Sequence, residues 1–146
     1  MKNENYIYEY INAIDKGEIV VGQELYQELE MLVKDIESNK YIFDRNDCLK
    51  RIDFIENCVK LTKSPFYGRP MKLMLWQKAF IEAVYSFKMK DGFDRFSQVL
   101  LLVARKNGKT ETVGGIGFSE LIIGNAGEDI VCASNSNEQA SLVYDA

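Results

Sequence analysis

Val103-Ala104-Arg105-Lys106-Asn107-Gly108-Lys109-Thr110 is the stretch on which the fold of this chain turns. Ahead of it, Phe96 to Val103 is rich in residues that suit a buried strand, with four consecutive aliphatics, Val99 to Leu102, at its centre. Behind it, Thr110 to Ile123 reads as a helix closed by Gly124. A strand, a sharp loop and a helix in that order let successive backbone N–H groups and the helix N-terminus converge on an anion. Gly108 permits close approach, Lys109 is placed to reach β- and γ-phosphates, and the Thr110 hydroxyl suits a Mg²⁺ bridging them.

Two further features lie in or near this loop. Arg105 and Lys106 add cations beyond what a phosphate cradle needs and favour a strongly anionic ligand. Arg105 is suited to charge developing on a γ-phosphate, or to a plain solvated loop position. Asn107 completes the loop. Upstream, Trp76-Gln77 offers a carboxamide whose paired donor and acceptor match an adenine edge, although Trp76 also fits the apolar stripe of its own helix.

Beyond the helix, Asp129 to Ala133 reads as a second strand, and Ser136 with Gln139 three positions on makes a capping box for a last helix. From Phe96 onward the order is therefore one βαβ unit with its following helix begun. A parallel sheet needs more than two strands, so the chain is expected to stop in mid-domain. Upstream, Ile7, Tyr10, Ile11 and Ile14 recur at helical spacing, as do Leu25, Leu29, Leu32, Val33 and Ile36. A third helix, capped by Asp44, carries Leu49, Ile52, Ile55 and Val59 on one face. Thr62 to Pro70 holds both prolines and reads as a connecting loop. A fourth helix shows Leu73, Trp76, Phe80, Val84 and Phe87 on its apolar side and ends at the Asp91-Gly92 turn. The expected division is a helical lead-in over 1–61 and an ATPase segment over 62–146.

The 146 residues are 47% hydrophobic and 27% charged, ordinary for a globular chain with one modest core. No apolar run reaches bilayer-spanning length and no secretory leader is readable, so a soluble protein of the cytoplasm, without membrane contact, is expected. Cys48, Cys58 and Cys132 are widely spaced among apolar neighbours and read as buried small hydrophobes, not as a disulfide or thiolate-metal framework. There is no histidine, which excludes imidazole bases and His-rich zinc sites. The net charge of −4 conceals segregation: residues 60–110 hold 11 Lys/Arg against 3 Asp/Glu, whereas residues 1–59 hold 7 against 13. The basic middle serves phosphate or nucleic acid, or else is neutralised by the acidic flanks on folding.

Leu75-Trp76-Gln77, the run from Leu100 to Thr110, Ala133-Ser134 and Glu138-Gln139-Ala140 resemble successive landmarks of the ATPase of the phage terminase large subunit, and Ile52 to Val59 resembles the lead-in of that family. Replacement of the first loop glycine, here by Val103, is common in terminases. The resemblance implies an α/β fold with a P-loop NTPase core, a parallel sheet flanked by helices, truncated here and preceded by a helical N-terminal segment. It also implies an ATP-driven motor on double-stranded DNA, encoded by a phage or prophage, working as a homo-oligomeric ring with a portal protein and a small terminase subunit in the bacterial cytoplasm. By the match, Arg105 and Lys109 act on the reacting phosphate, Trp76, Gln77, Arg105, Lys106, Asn107, Gly108, Lys109 and Thr110 hold ATP, and Thr110 holds Mg²⁺. The acidic strand end that positions Mg²⁺ and activates water, and the nuclease carboxylates of the family, have no counterpart before Ala146, so binding without turnover is expected. A helicase-type ATPase segment, or a non-catalytic nucleotide-binding or interaction module, would share the same loop.

Overall fold

The computed structural model describes residues 5–127 and 129–134. Over these residues the elements are helices α1 (Tyr6–Asp15) and α2 (Gln23–Glu37), strand β1 (Ile42–Phe43), helices α3 (Asn46–Cys58) and α4 (Leu75–Ser86), strand β2 (Phe87–Lys88) and helix α5 (Lys109–Ile123). Packing divides the chain into two units, Met1–Lys50 with Met74–Val99 and Arg51–Leu73 with Leu100–Ala146. The first division falls within α3.

The first unit is built on the core of Ile7, Tyr10, Leu29, Ala79 and Phe87, with Leu32, Val33, Ile36, Phe43, Trp76 and Phe96 packed partly against it. Each fully buried side chain of this size contributes roughly 2 kcal/mol. The Asn5 side chain accepts from the Tyr8 amide to start α1, and the left-handed Gly17 just after Asp15 stops it. Asp44 accepts from the Asn46 amide at 2.9 Å in a turn just ahead of α3, one residue before Arg45, whose carbonyl accepts the first bond of the helix. β1 and β2 pair antiparallel in the register Ile42 to Lys88 and Phe43 to Phe87. Phe87 is the hub of this unit, its ring meeting Tyr41, Phe43 and Phe96 edge-on. The Arg95 guanidinium lies 4.1 Å from the Tyr41 ring centre and 4.6 Å from that of Phe96, and bonds Asp35 at 2.6 Å.

The fourth helix departs from its apolar stripe. It ends at Ser86, because Phe87 turns into β2, and its buried positions are Gln77, Ala79, Ile81, Glu82 and Ser86. Glu82 is wholly buried and spends one carboxylate oxygen on Arg45 Nε at 2.6 Å and the other on the Ile7 amide at 2.9 Å. A carboxylate at the α1 N-terminus complements the helix dipole there. Burial nonetheless pushes its pKa up, with the backbone amides and Arg45 opposing.

In the second unit, α5 packs through Gly115, where an added Cβ would stand 3.4 Å from Ile55 and 3.6 Å from Met71 Sδ. Phe54 and Phe118 meet at 5.6 Å. Arg51 grips Glu120 with two parallel bonds, Nε to Oε1 at 2.7 Å and Nη2 to Oε2 at 2.9 Å. Thr62 to Pro70 is a loop as expected, closed by a Lys60–Pro70 antiparallel bridge and by Leu61 N–H to Arg69 C=O at 2.9 Å.

The structure shows mixed helix with one small two-stranded sheet among the described residues. Neither Phe96–Val103 nor Asp129–Ala133 forms a paired strand. The physical reason is visible at Phe96, whose ring is drawn onto Phe87, while Val99, Leu100 and Leu102 are exposed with no strand beside them to accept a ladder. The expected last helix from Ser136 lies outside the described residues. Of the cysteines only Cys48 is buried; Cys58 and Cys132 are exposed, which corrects the expectation for both. Cys58 is the last residue of α3, turned off the Ile52–Ile55 face. No helix of the described residues is long and apolar enough to cross a membrane.

Candidate functional site: the loop at the head of α5

The segment from Ala104 to Gly108 is a turn rather than a coil, and two left-handed residues shape it. Lys106 has φ 67° and Gly108, the N-cap of α5, has φ 71° and ψ 18°. Left-handed backbone is cheap for glycine and costly for a residue with a Cβ. The reversal at Gly108 puts Lys109 and Thr110 on the first turn of α5, whose N-terminus no side chain caps. The Asn107 amide spans the turn to the Ala104 carbonyl at 3.4 Å.

Thr112, a residue the sequence reading passed over, fixes this geometry from behind. It is fully buried, and its hydroxyl donates to the Gly108 carbonyl at 2.7 Å while its own amide donates to the same oxygen at 2.9 Å. Two donors on one carbonyl hold the peptide after Gly108 in a single orientation. A threonine three positions into a predicted helix carries no signal of this in sequence, since back-bonding to i−4 is an ordinary habit of the residue.

Around that fixed backbone Arg105, Lys106, Asn107 and Lys109 are exposed, and Thr110 is half-buried. Glu111 follows on the first turn, where an acid suits the dipole, and Lys63 Nζ stands 3.8 Å from its Oε1. The six residues from Arg105 to Thr110 therefore come together on one loop and one helix turn. The arrangement is chemically suited to a polyanion: free helix N-terminus, cations on both sides, and no carboxylate within the loop itself. Among the described residues no cluster of three His, Cys, Asp or Glu could hold a metal ion.

Trp76 and Gln77 belong to the other unit. Gln77 is buried, and its Oε1 accepts from the Met74 amide at 2.6 Å, closing the first turn of α4. Trp76 packs partly against the core of its own unit.

Comparison with known proteins adds to this geometry. Residues 75–146 match the family described as the terminase large subunit, ATPase domain. The chain is also similar to the large subunit of terminase from Enterobacteria phage HK97, 37% identical over 95 residues, which is 64% of this chain and 18% of that protein. No solved structure matches.

Proposed function

Residues 75–146 belong to the terminase large subunit ATPase family, and from this premise we propose that the loop Val103 to Thr110 is the ATP-binding loop of a phage DNA-packaging motor. The observation that carries the reading is local: within the family segment, a left-handed Gly108 heads an uncapped helix whose first two residues are Lys109 and Thr110. Lys109 takes the β- and γ-phosphates, Thr110 the Mg²⁺, and the amides of the first turn the remaining phosphate oxygens. Mg²⁺ supplies charge neutralisation between the phosphates when bound. Arg105 meets the negative charge that builds on the γ-phosphate during transfer, and Lys106 and Asn107 flank it. Thr112 is a positioning residue that holds the Gly108 carbonyl.

The chain spans a small part of its relative, so the motor's wider properties are inferences about a larger assembly. In that assembly ATP hydrolysis drives double-stranded DNA into the phage head, through a ring of large subunits at the portal, with the small subunit, in the host cytoplasm. A lead-in over 1–61 and an ATPase part over 62–146 remain the functional division we propose. Phe96–Val103 and Asp129–Ala133 become inner parallel strands of a P-loop sheet. Support comes from Leu100 at 87% exposure, Leu102 at 90% and Val131 at 83%, aliphatic side chains whose burial such strands would provide.

The test is a titration of Mg²⁺-ATP into the chain, followed by calorimetry and by the fluorescence of Trp76, the single tryptophan. Saturable binding is expected. Lys109→Ala should weaken it roughly 30-fold or more, since losing one partner of a desolvated charge pair costs about 2 kcal/mol or above. Equal binding by both chains would remove the phosphate loop from the reading.

A further inference from the structure

Four of the eleven cations over residues 60–110 lie on one exposed element that the nucleotide site does not use. Residues 60–72 hold Lys60, Lys63, Arg69 and Lys72 and no acid. They form the closed hairpin described above, anchored on the far side by Met71 N–H to the Val59 carbonyl at 2.9 Å and turned at its tip by Gly68 N–H to the Leu61 carbonyl at 2.8 Å. The four cations are exposed, as are two aromatics, Phe66 at 52% and Tyr67 at 77%. Folding does little to neutralise this charge. Lys63 meets Glu111 at 3.8 Å, a loose and exposed pair, and Lys72 rests on the Glu56 backbone carbonyl at 3.5 Å. Arg69 lies over the Phe66 ring at 5.7 Å, so its guanidinium plane is steadied while its N–H edge stays in solvent.

We propose that the hairpin Lys60 to Lys72 is a contact surface for the phosphate backbone of duplex DNA. This rests on the packaging reading for the identity of the polymer, but it concerns a different surface from the loop Val103 to Thr110. A hydrogen-bonded hairpin carrying four exposed cations and no acid complements the charge of a phosphate backbone. The Arg69 guanidinium covers one face of Phe66 and keeps its own charge exposed toward the phosphate line. Tyr67, at the tip, adds a hydroxyl donor for phosphate or sugar.

The experiment is fluorescence anisotropy of a labelled 30-base-pair duplex with the chain across a salt series, comparing wild type with the triple variant Lys60→Ala, Arg69→Ala, Lys72→Ala. Circular dichroism and Mg²⁺-ATP titration on the same samples establish that the variant is folded. Wild type is expected to bind with a Kd below about 10 µM at about 50 mM salt, within the range of non-specific DNA binding. The triple variant should bind at least about tenfold more weakly, with the slope of log K against log salt shallower by roughly 2 to 3, one step of about 0.9 per lost phosphate contact. A triple variant with unaltered affinity and slope, a wild type that fails to bind duplex, or tighter binding to a single strand of the same length would each overturn the proposal. Retained Mg²⁺-ATP binding in the triple variant, with DNA binding weakened, separates the two sites.

Discussion

Lys106 and Gly108 occupy the same left-handed region of backbone space two residues apart, at φ 67° and 71°, yet only one of them is a glycine. For an L-residue that conformation costs about 1–2 kcal/mol, whereas glycine's freedom in the unfolded chain costs about 0.5–1 kcal/mol. These magnitudes set opposite expectations for two substitutions. Gly108→Ala should lower the stability of the chain by about 1 kcal/mol or more, read as a fall in the urea midpoint at constant m. Lys106→Gly should be near neutral, the relieved strain offsetting the added entropy. Equal losses from both would mean that Lys106 is held by its side chain instead. The place of Lys109 and Thr110 on the first turn of α5 was legible because a glycine followed by a helical run marks a helix start. Thr112 was not, since its role depends on a hydroxyl aimed at one carbonyl, which no spacing encodes.

At the scale of elements, the periodicity of Ile7, Tyr10, Ile11 and Ile14 located α1, and that of Leu29, Leu32, Val33 and Ile36 located α2, because both helices bury the face their apolar residues define. The reading failed in α4, whose buried face includes Gln77, Glu82 and Ser86. Glu82 there ties three segments together through Arg45 and the Ile7 amide. Glu82→Ala should cost roughly 3 kcal/mol, since it strands a buried amide and half of an ion pair. The pH dependence has a definite sign. The folded-state pKa of Glu82 is raised, chiefly by burial, so its contribution is complete below the ordinary glutamate value of about 4.3 and declines as pH climbs through the raised value. The gap in unfolding free energy between wild type and Glu82→Ala should therefore narrow from pH 5 to pH 8. A gap that widens would show that Arg45 and the amides outweigh desolvation. Phe96–Val103 and Asp129–Ala133 mark the other limit of sequence reading. Aliphatic runs state that a segment wants burial, but a strand also needs a neighbour, and Phe96 finds Phe87 instead.

For the molecule as a whole, charge is the property that sequence and structure describe in the same terms. Of the eleven cations over 60–110, four lie on the hairpin and three between Arg105 and Lys109, while acids such as Asp35, Glu82 and Glu120 are engaged one by one with arginines. The helix behind the loop Val103 to Thr110 was legible as α5, and the family match covers that same segment. The parallel sheet expected around it is not formed among the described residues, because pairing is a property of the assembled strands. The central claim, that Val103 to Thr110 is where nucleotide binds, is tested most directly by amide hydrogen exchange with and without Mg²⁺-ATP. Peptides covering residues 103–112 should gain protection at saturating nucleotide, and Lys109→Ala should abolish the gain. Exchange in those peptides that is unchanged by nucleotide under conditions where calorimetry shows binding would place the site elsewhere and contradict the claim.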